Sequence, residues 1–196
     1  MSPFEVVADS FAGRVRRLSL RGKVALFGSA AYVLAPRYFD WCTAAGLSSD
    51  QALLDRALDY ARQVALGNQV AGGRELLGSI EAVTPSEPTD VTWFTAAQDC
   101  WVCIDTAIRA VVDDFDAADS TWYLLEPMFQ AVSERLYGVV DAGSQDQGES
   151  EAAALRDEQL DKAVSAVSRV IDDLDRETFT VASLNEIAIA LANIRP

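Results

Sequence analysis

The sequence predicts an all-α single domain, a bundle of about eight helices spanning residues 1–196. Three observations carry that prediction. Apolar residues recur at three- and four-residue steps almost throughout, and no sustained alternating run of β-branched residues interrupts them. Half the residues are apolar, which excludes wholesale disorder. At 196 residues one core is the default, and about 70% of the unfolded surface can be buried without a metal or disulfide staple.

The first helix runs from about Pro3 to Leu18, with Phe4, Val7, Phe11, Val15 and Leu18 as its stripe. Its basic last turn suits the helix dipole. The second covers about Lys23 to Leu34. Pro36 disfavours helical geometry at Ala35 and is expected to start a separate piece through Ala45, closed by Gly46. Ser48-Ser49-Asp50-Gln51 reads as a capping box opening the third helix, which buries Leu54, Ala57, Leu58, Ala61, Val64 and Ala65 and stops at Gly67-Asn68. The fourth spans about Gly73–Val83, before the turn Thr84-Pro85-Ser86-Glu87-Pro88.

The fifth helix is the centre of the protein. Phe94, Ala97, Trp101, Ile104, Ile108, Val111 and Phe115 form its core stripe, and Ala96, Cys100, Cys103, Ala107 and Ala110 a small-residue flank. Little polar surface remains, so neighbours must enclose it. A sixth helix is expected over about Thr121–Val140, with Pro127 near its start or kinking it. Asp141–Ser150 (DAGSQDQGES) reads as a flexible acidic loop rather than a domain boundary. A seventh helix over Glu151–Leu174 and a short last one, opened by a second capping box at Ser183-Leu184-Asn185-Glu186, complete the bundle.

Function is first bounded by absences. Without His there is no Ser-His-Asp or Cys-His catalysis and no His-based zinc site. No Walker-type loop, GxGxxG after a strand, HExxH or GxSxG occurs, so neither a cofactor nor a metal is expected. Cys42, Cys100 and Cys103 are odd in number and sit in apolar segments, as buried thiols of a reducing compartment do. Cys100-Trp101-Val102-Cys103 is a CxxC, but it falls mid-helix after Asp99, whose carboxylate raises a thiol pKa; it reads as core packing. Val24–Ala35 follows Arg16-Arg17, a pairing that invites a twin-arginine signal. The stretch is too short to span a bilayer, and the stripe upstream of it belongs to a core helix, so a cytoplasmic location is expected.

The net charge of −14 is unevenly spread. Residues 1–37 carry six basic groups against two acidic ones, and the remainder ten basic against twenty-eight acidic. Such a surface repels nucleic acid and anionic lipid and attracts a basic protein. Asp113, Asp114, Asp116 and Asp119 cluster after the fifth helix, and Asp172, Asp173 and Asp175 after the seventh. Neither cluster has the EF-hand pattern. Carboxylates at a helix C-terminus oppose its dipole, so they must be solvated or must meet something positive.

The leading expectation is a non-enzymatic binding module, such as an immunity or antitoxin-like protein, docking a basic partner on those clusters. The alternatives are a carboxylate enzyme using a divalent metal around Asp99, Asp105 and Asp113, and a structural homo-oligomer joined through the apolar flank. Asp99 is the best single catalytic candidate; its blander role is a buried acid paired with Arg109 or a neighbouring helix. Trp93, Trp122 and Tyr123 flank loops, where they serve as partner anchors or as packing over helix ends.

Several blocks, in order, also carry a resemblance. Leu26-Phe27 with Ala30-Ala31, Pro36-Arg37-Tyr38-Phe39, Ala57-Leu58-Asp59-Tyr60, Ile80-Glu81-Ala82-Val83-Thr84-Pro85, Ala96-Ala97-Gln98-Asp99 and Val139-Val140 together resemble the YjaG-like family of bacterial helical proteins, over roughly residues 14–175. Where that family often has Trp after the Leu-Asp, this chain has Tyr60-Ala61. The resemblance implies a compact all-α cytoplasmic domain and brings no catalytic residues.

Overall fold

The chain enters through α1 (Pro3–Arg17), whose apolar stripe buries Phe4, Ala8, Phe11 and Val15. The computed structural model describes residues 3–85, 94–126, 129, 147–175 and 178–192, and among them every regular element is helical. Next comes α2 (Leu20–Ala45), N-capped by Ser19, whose hydroxyl accepts from the Gly22 N–H. α3 (Gln51–Ala65), α4 (Gly73–Val83) and α5 (Phe94–Val112) follow. A 3-10 turn (Ala117–Ser120) leads into α6, described over residues 121–126; α7 (Gln147–Ala154), α8 (Glu158–Asp173) and α9 (Val181–Ala192) complete the order.

The core is organised by α2 and α5, which pack along most of their lengths, while α3 and α9 cover the rest of α2. Both faces predicted for α5 are used: Ala97, Trp101, Ile104 and Ile108 are fully buried, and so are Cys100, Cys103 and Ala107 on the small-residue flank. Each large side chain enclosed this way contributes about 1.5–3 kcal/mol over its exposed state. All three cysteines are free and buried, the thiol of Cys100 pointing at the Ala31 carbonyl of α2 (3.4 Å). The CxxC therefore packs two helices together. No helix among the described residues is long and apolar enough to cross a membrane.

Several predicted helix ends are corrected. Pro36 does not divide the second helix, which is continuous from Leu20 to Ala45. Pro36 and Tyr32, the residue one turn earlier whose carbonyl loses its donor, are both exposed, so water can meet the freed carbonyl while Leu34, Ala35 and Tyr38 hold the helix to the core. Gly46 does end α2, in the left-handed region at φ 67°, with the Leu47 N–H returning to the Cys42 carbonyl (2.8 Å). The capping box at Ser48–Gln51 is not made. Asp50 occupies the N-cap position without a side-chain bond, and its backbone N–H donates to the Tyr38 hydroxyl (2.9 Å).

The expected single helix over Glu151–Leu174 is two helices, broken at Leu155–Asp157. Asp157 caps α8, its carboxylate accepting from the Leu160 N–H (3.3 Å), and that local bond outcompetes helix continuation. Part of the expected acidic loop is also helical, since α7 begins at Gln147; residues 141–146, the sixth helix beyond 129, Pro127 and the end of the Thr84–Pro88 turn lie outside the described residues. α9 starts two residues before the predicted capping box. Thr180 and Ser183 cap it reciprocally: the Thr180 N–H donates to the Ser183 Oγ (2.8 Å), and the Ser183 N–H to the Thr180 Oγ1 (3.1 Å).

Candidate functional site

The acids singled out from the sequence do meet something positive, and much of it is the chain's own. Arg16 of α1 donates from Nε to Asp116 (2.7 Å) and lies 3.6 Å from Asp119. That guanidinium holds the Asp116 carboxyl below its ordinary range, helped by the Ala118 N–H. Arg74 of α4 pairs with Asp113 (2.9 Å). Arg14 of α1 reaches Asp172 and the Ser168 carbonyl of α8. The basic first segment and the acidic remainder thus join within one molecule. Asp114 is exposed and lies in the left-handed region at φ 52°; Asp173, the last residue of α8, and Asp175 just beyond it are exposed.

Arg109 is the hub of a second group. Its Nε donates to Asp105 (2.6 Å), one Nη to Glu81 of α4 (2.5 Å), and its other Nη lies 3.9 Å from Asp113. Burial pushes the Asp105 carboxyl up from its ordinary range, and the guanidinium only partly opposes this. Asp99 is fully buried, but Arg109 is occupied by the other three acids rather than by Asp99. The metal-enzyme residues are not brought together: Asp99 of α5 and Asp113, just past its end, are fourteen residues apart, about 21 Å along the helix axis, and Asp99 and Asp105 project roughly 120° apart around it. Among the described residues, no group of three His, Cys, Asp or Glu side chains is arranged to hold a metal ion.

Two clefts remain. A groove of about 280 Å³ runs between α2, α3 and α9, floored by Val24, Ala25, Ala61 and Leu184 and edged by Asp55, Asp59, Arg62 and Asn185. A smaller cleft of about 60 Å³ lies between α8 and α9. The sequence reading missed the groove. The signal was present as Gly28, Ser29 and Tyr32 on one face of α2 and Asp55, Asp59 and Arg62 at three- and four-residue steps on α3, but it becomes a site only when α9 is laid across both. Of the loop-flanking aromatics, Trp122 packs beside Phe129 (5.9 Å between centroids) and Tyr123 is half-buried, whereas Trp93 lies outside the described residues.

Comparison with known proteins places the fold. The chain is similar to the crystal structure of a DUF416 family protein from Shewanella baltica OS155, with a TM-score of 0.71 and 16% identity, covering 94% of this chain and 97% of the other. At that identity the likeness is one of fold. No family model and no curated protein matches the sequence.

Proposed function

We propose that the chain is a non-enzymatic binding module for a basic protein, in the manner of an immunity or antitoxin-like protein, with the end of α8 as its docking surface. The observation that supports this reading is the apolar cleft that the acids at the end of α8 adjoin. After α5, Asp113, Asp116 and Asp119 face Arg74, Arg109 and Arg16. After α8, Asp172 remains 72% exposed even though it meets Arg14, Asp173 and Asp175 are exposed beside it, and Glu186 of α9 stands across the small cleft. Val170, Phe179 and Ile187 line that cleft. An apolar notch rimmed by carboxylates suits a Lys or Arg of a partner, its stem packed inside and its charge at the rim.

Membership of the YjaG-like family, supported by the order of the sequence blocks, belongs to the same reading. So does a cytoplasmic location, supported by the three buried free thiols. The test is quantitative capture of basic proteins from extract on immobilised protein. Binding is expected to fall with salt and to drop about tenfold in D172N/D173N/D175N, while D113N/D116N retains it. A partner held equally well in about 1 M salt, or by the α8 triple variant, overturns the reading. Light scattering of the isolated chain runs alongside: an oligomer favours the homo-oligomer instead, though not through the small-residue flank of α5, where Cys100, Cys103 and Ala107 are buried within the chain.

A further inference from the structure

The geometry points to a separate small-molecule site, independent of the docking surface: the groove between α2, α3 and α9 takes a small organic amine with an apolar body. Ser29 is the first reason. It is only 8% exposed and lines the groove, and its hydroxyl makes no hydrogen bond among the described residues. A serine inside a helix ordinarily returns its hydroxyl to a carbonyl of the preceding turn. The hydroxyl opens to the groove, where a polar group of a ligand can take the place of water on it.

The walls supply the rest of the recognition. At Gly28, a Cβ would stand 3.1 Å from the Ala61 Cβ, so α2 and α3 nearly touch and close the bottom of the groove. Val24, Leu58 and Leu184 offer an apolar body its contact surface. Asp55 and Asp59 lie one turn apart on α3, both exposed at the mouth and neither in an ion pair among the described residues; Asp59 accepts only from the Gln63 amide (3.3 Å). Two carboxylates outnumber the single Arg62, in a chain of net charge −14, so the groove favours a cation. Tyr32, 63% exposed at the lip, presents a ring face that also favours positive charge. About 280 Å³ is at the lower edge of ligand pockets, which limits the body to one ring or a short alkyl chain.

The test is isothermal titration of the full chain with phenethylamine, its neutral isostere 2-phenylethanol and the anion 3-phenylpropionate. Phenethylamine is expected to bind at millimolar concentration or better, well ahead of the other two. D55N/D59N, exposed positions that leave the core untouched, is expected to weaken it roughly fivefold. S29A is expected to weaken ligands that carry a second polar group more than phenethylamine itself, and A188L, which fills the groove, to abolish binding; thermal denaturation checks that each variant folds. Binding of the alcohol or the carboxylate as tight as that of the amine, unchanged affinity in D55N/D59N or in a folded A188L, or no binding of phenethylamine at all, overturns the assignment.

Discussion

Arg14 and Asp172 are 158 residues apart in sequence and joined in space: the Arg14 guanidinium donates to the Asp172 carboxylate (2.5 Å) and, from the same nitrogen, to the Ser168 carbonyl (2.7 Å). Its other Nη reaches the Ser168 hydroxyl, and the guanidinium lies 5.5 Å from the Phe11 ring. The bond ties α1 to the last turns of α8, where free carbonyls and the helix dipole both favour a cation. R14Q is expected to lower stability by about 1–2 kcal/mol, because it removes at once the charge-assisted bonds to the Ser168 hydroxyl, the Ser168 carbonyl and the Asp172 carboxylate. D172N is expected to cost less than about 1 kcal/mol, since that carboxylate is well solvated. Urea denaturation of the two variants measures the difference, and equal losses would contradict it.

Arg16 performs the same task at the other acidic end, with a pH signature. Its hydrogen bond to Asp116 lowers that carboxyl below 3.8. A lowered folded pKa means stability that is present above the unfolded pKa and lost as pH falls through the folded one. R16Q is expected to return the Asp116 titration toward 3.8 and to remove this part of the acid sensitivity. A carboxyl-detected NMR titration reads both, and an unmoved Asp116 would refute the coupling.

These two pairs also show what the sequence could and could not say. The stripes of α1, α3 and α5, the span of α4 and the stop at Gly46 were legible because they are local: side-chain period, a left-handed glycine, a turn of prolines. The demand for positive charge at the acidic helix ends was legible too, from the dipole alone. Its source was not, because Arg14 and Asp172 become neighbours only through the path of the whole chain. The misplaced ends have a similar cause. Pro36 was read as a break because its exposure, and that of Tyr32, is a tertiary fact. At Asp157 the competing local bond was present in the sequence but was outweighed by a longer apolar period, and at Thr180 a capping box starting at Ser183 took the place of the one that Thr180 and Ser183 form. The groove was hidden for the same reason as the ion pairs: three helices contribute to it, and none carries it alone.

Tyr38 gives an alkaline counterpart. Burial pushes its hydroxyl up to about 12, partly offset by the bond it accepts from the Asp50 N–H. A raised folded pKa means stability fully present below the unfolded value of 10.0 and lost as pH climbs from there through about 12. Between those values the unfolded tyrosine ionises while the folded one keeps its proton. The protein is therefore expected to lose stability above pH 10, and Y38F to lose less of it there while costing about 1 kcal/mol at neutral pH through the orphaned Asp50 N–H. Denaturant midpoints across this range test it; parallel curves for the two proteins would sink the prediction.

Two glycines of α4 should respond oppositely to the same methyl group. A Cβ on Gly73 would stand 2.5 Å from the Tyr60 hydroxyl oxygen and 2.7 Å from the Val112 Cγ2, so G73A must push aside these side chains or α4 itself and is expected to cost about 1–3 kcal/mol. Gly78 is an exposed interior position of the same helix, and its Cβ meets nothing within 4 Å. G78A is expected to raise stability by about 0.5–1 kcal/mol, through helix propensity and a less flexible unfolded chain. A change of the same sign in both variants would mean that α4 does not pack as described.

Trp101 separates the value of a ring from the cost of its nitrogen. The side chain is fully buried in α5, its ring edge-on to Tyr38 at 5.2 Å between centroids, yet its indole N–H has no acceptor among the described residues. The ring's burial and contacts stabilise the fold; the buried N–H costs part of that back, about 1–3 kcal/mol for a donor without a partner. W101A removes both and leaves a large cavity, so about 3–5 kcal/mol is expected to be lost. W101F keeps a ring against Tyr38, loses some volume and also removes the unsatisfied donor. The two changes oppose each other, and a net loss of about 1–2 kcal/mol follows, well below the alanine value. If W101F destabilised as much as W101A in equilibrium denaturation, the indole nitrogen would have to be bonded in solution, and the account of this core would need an acceptor it does not contain.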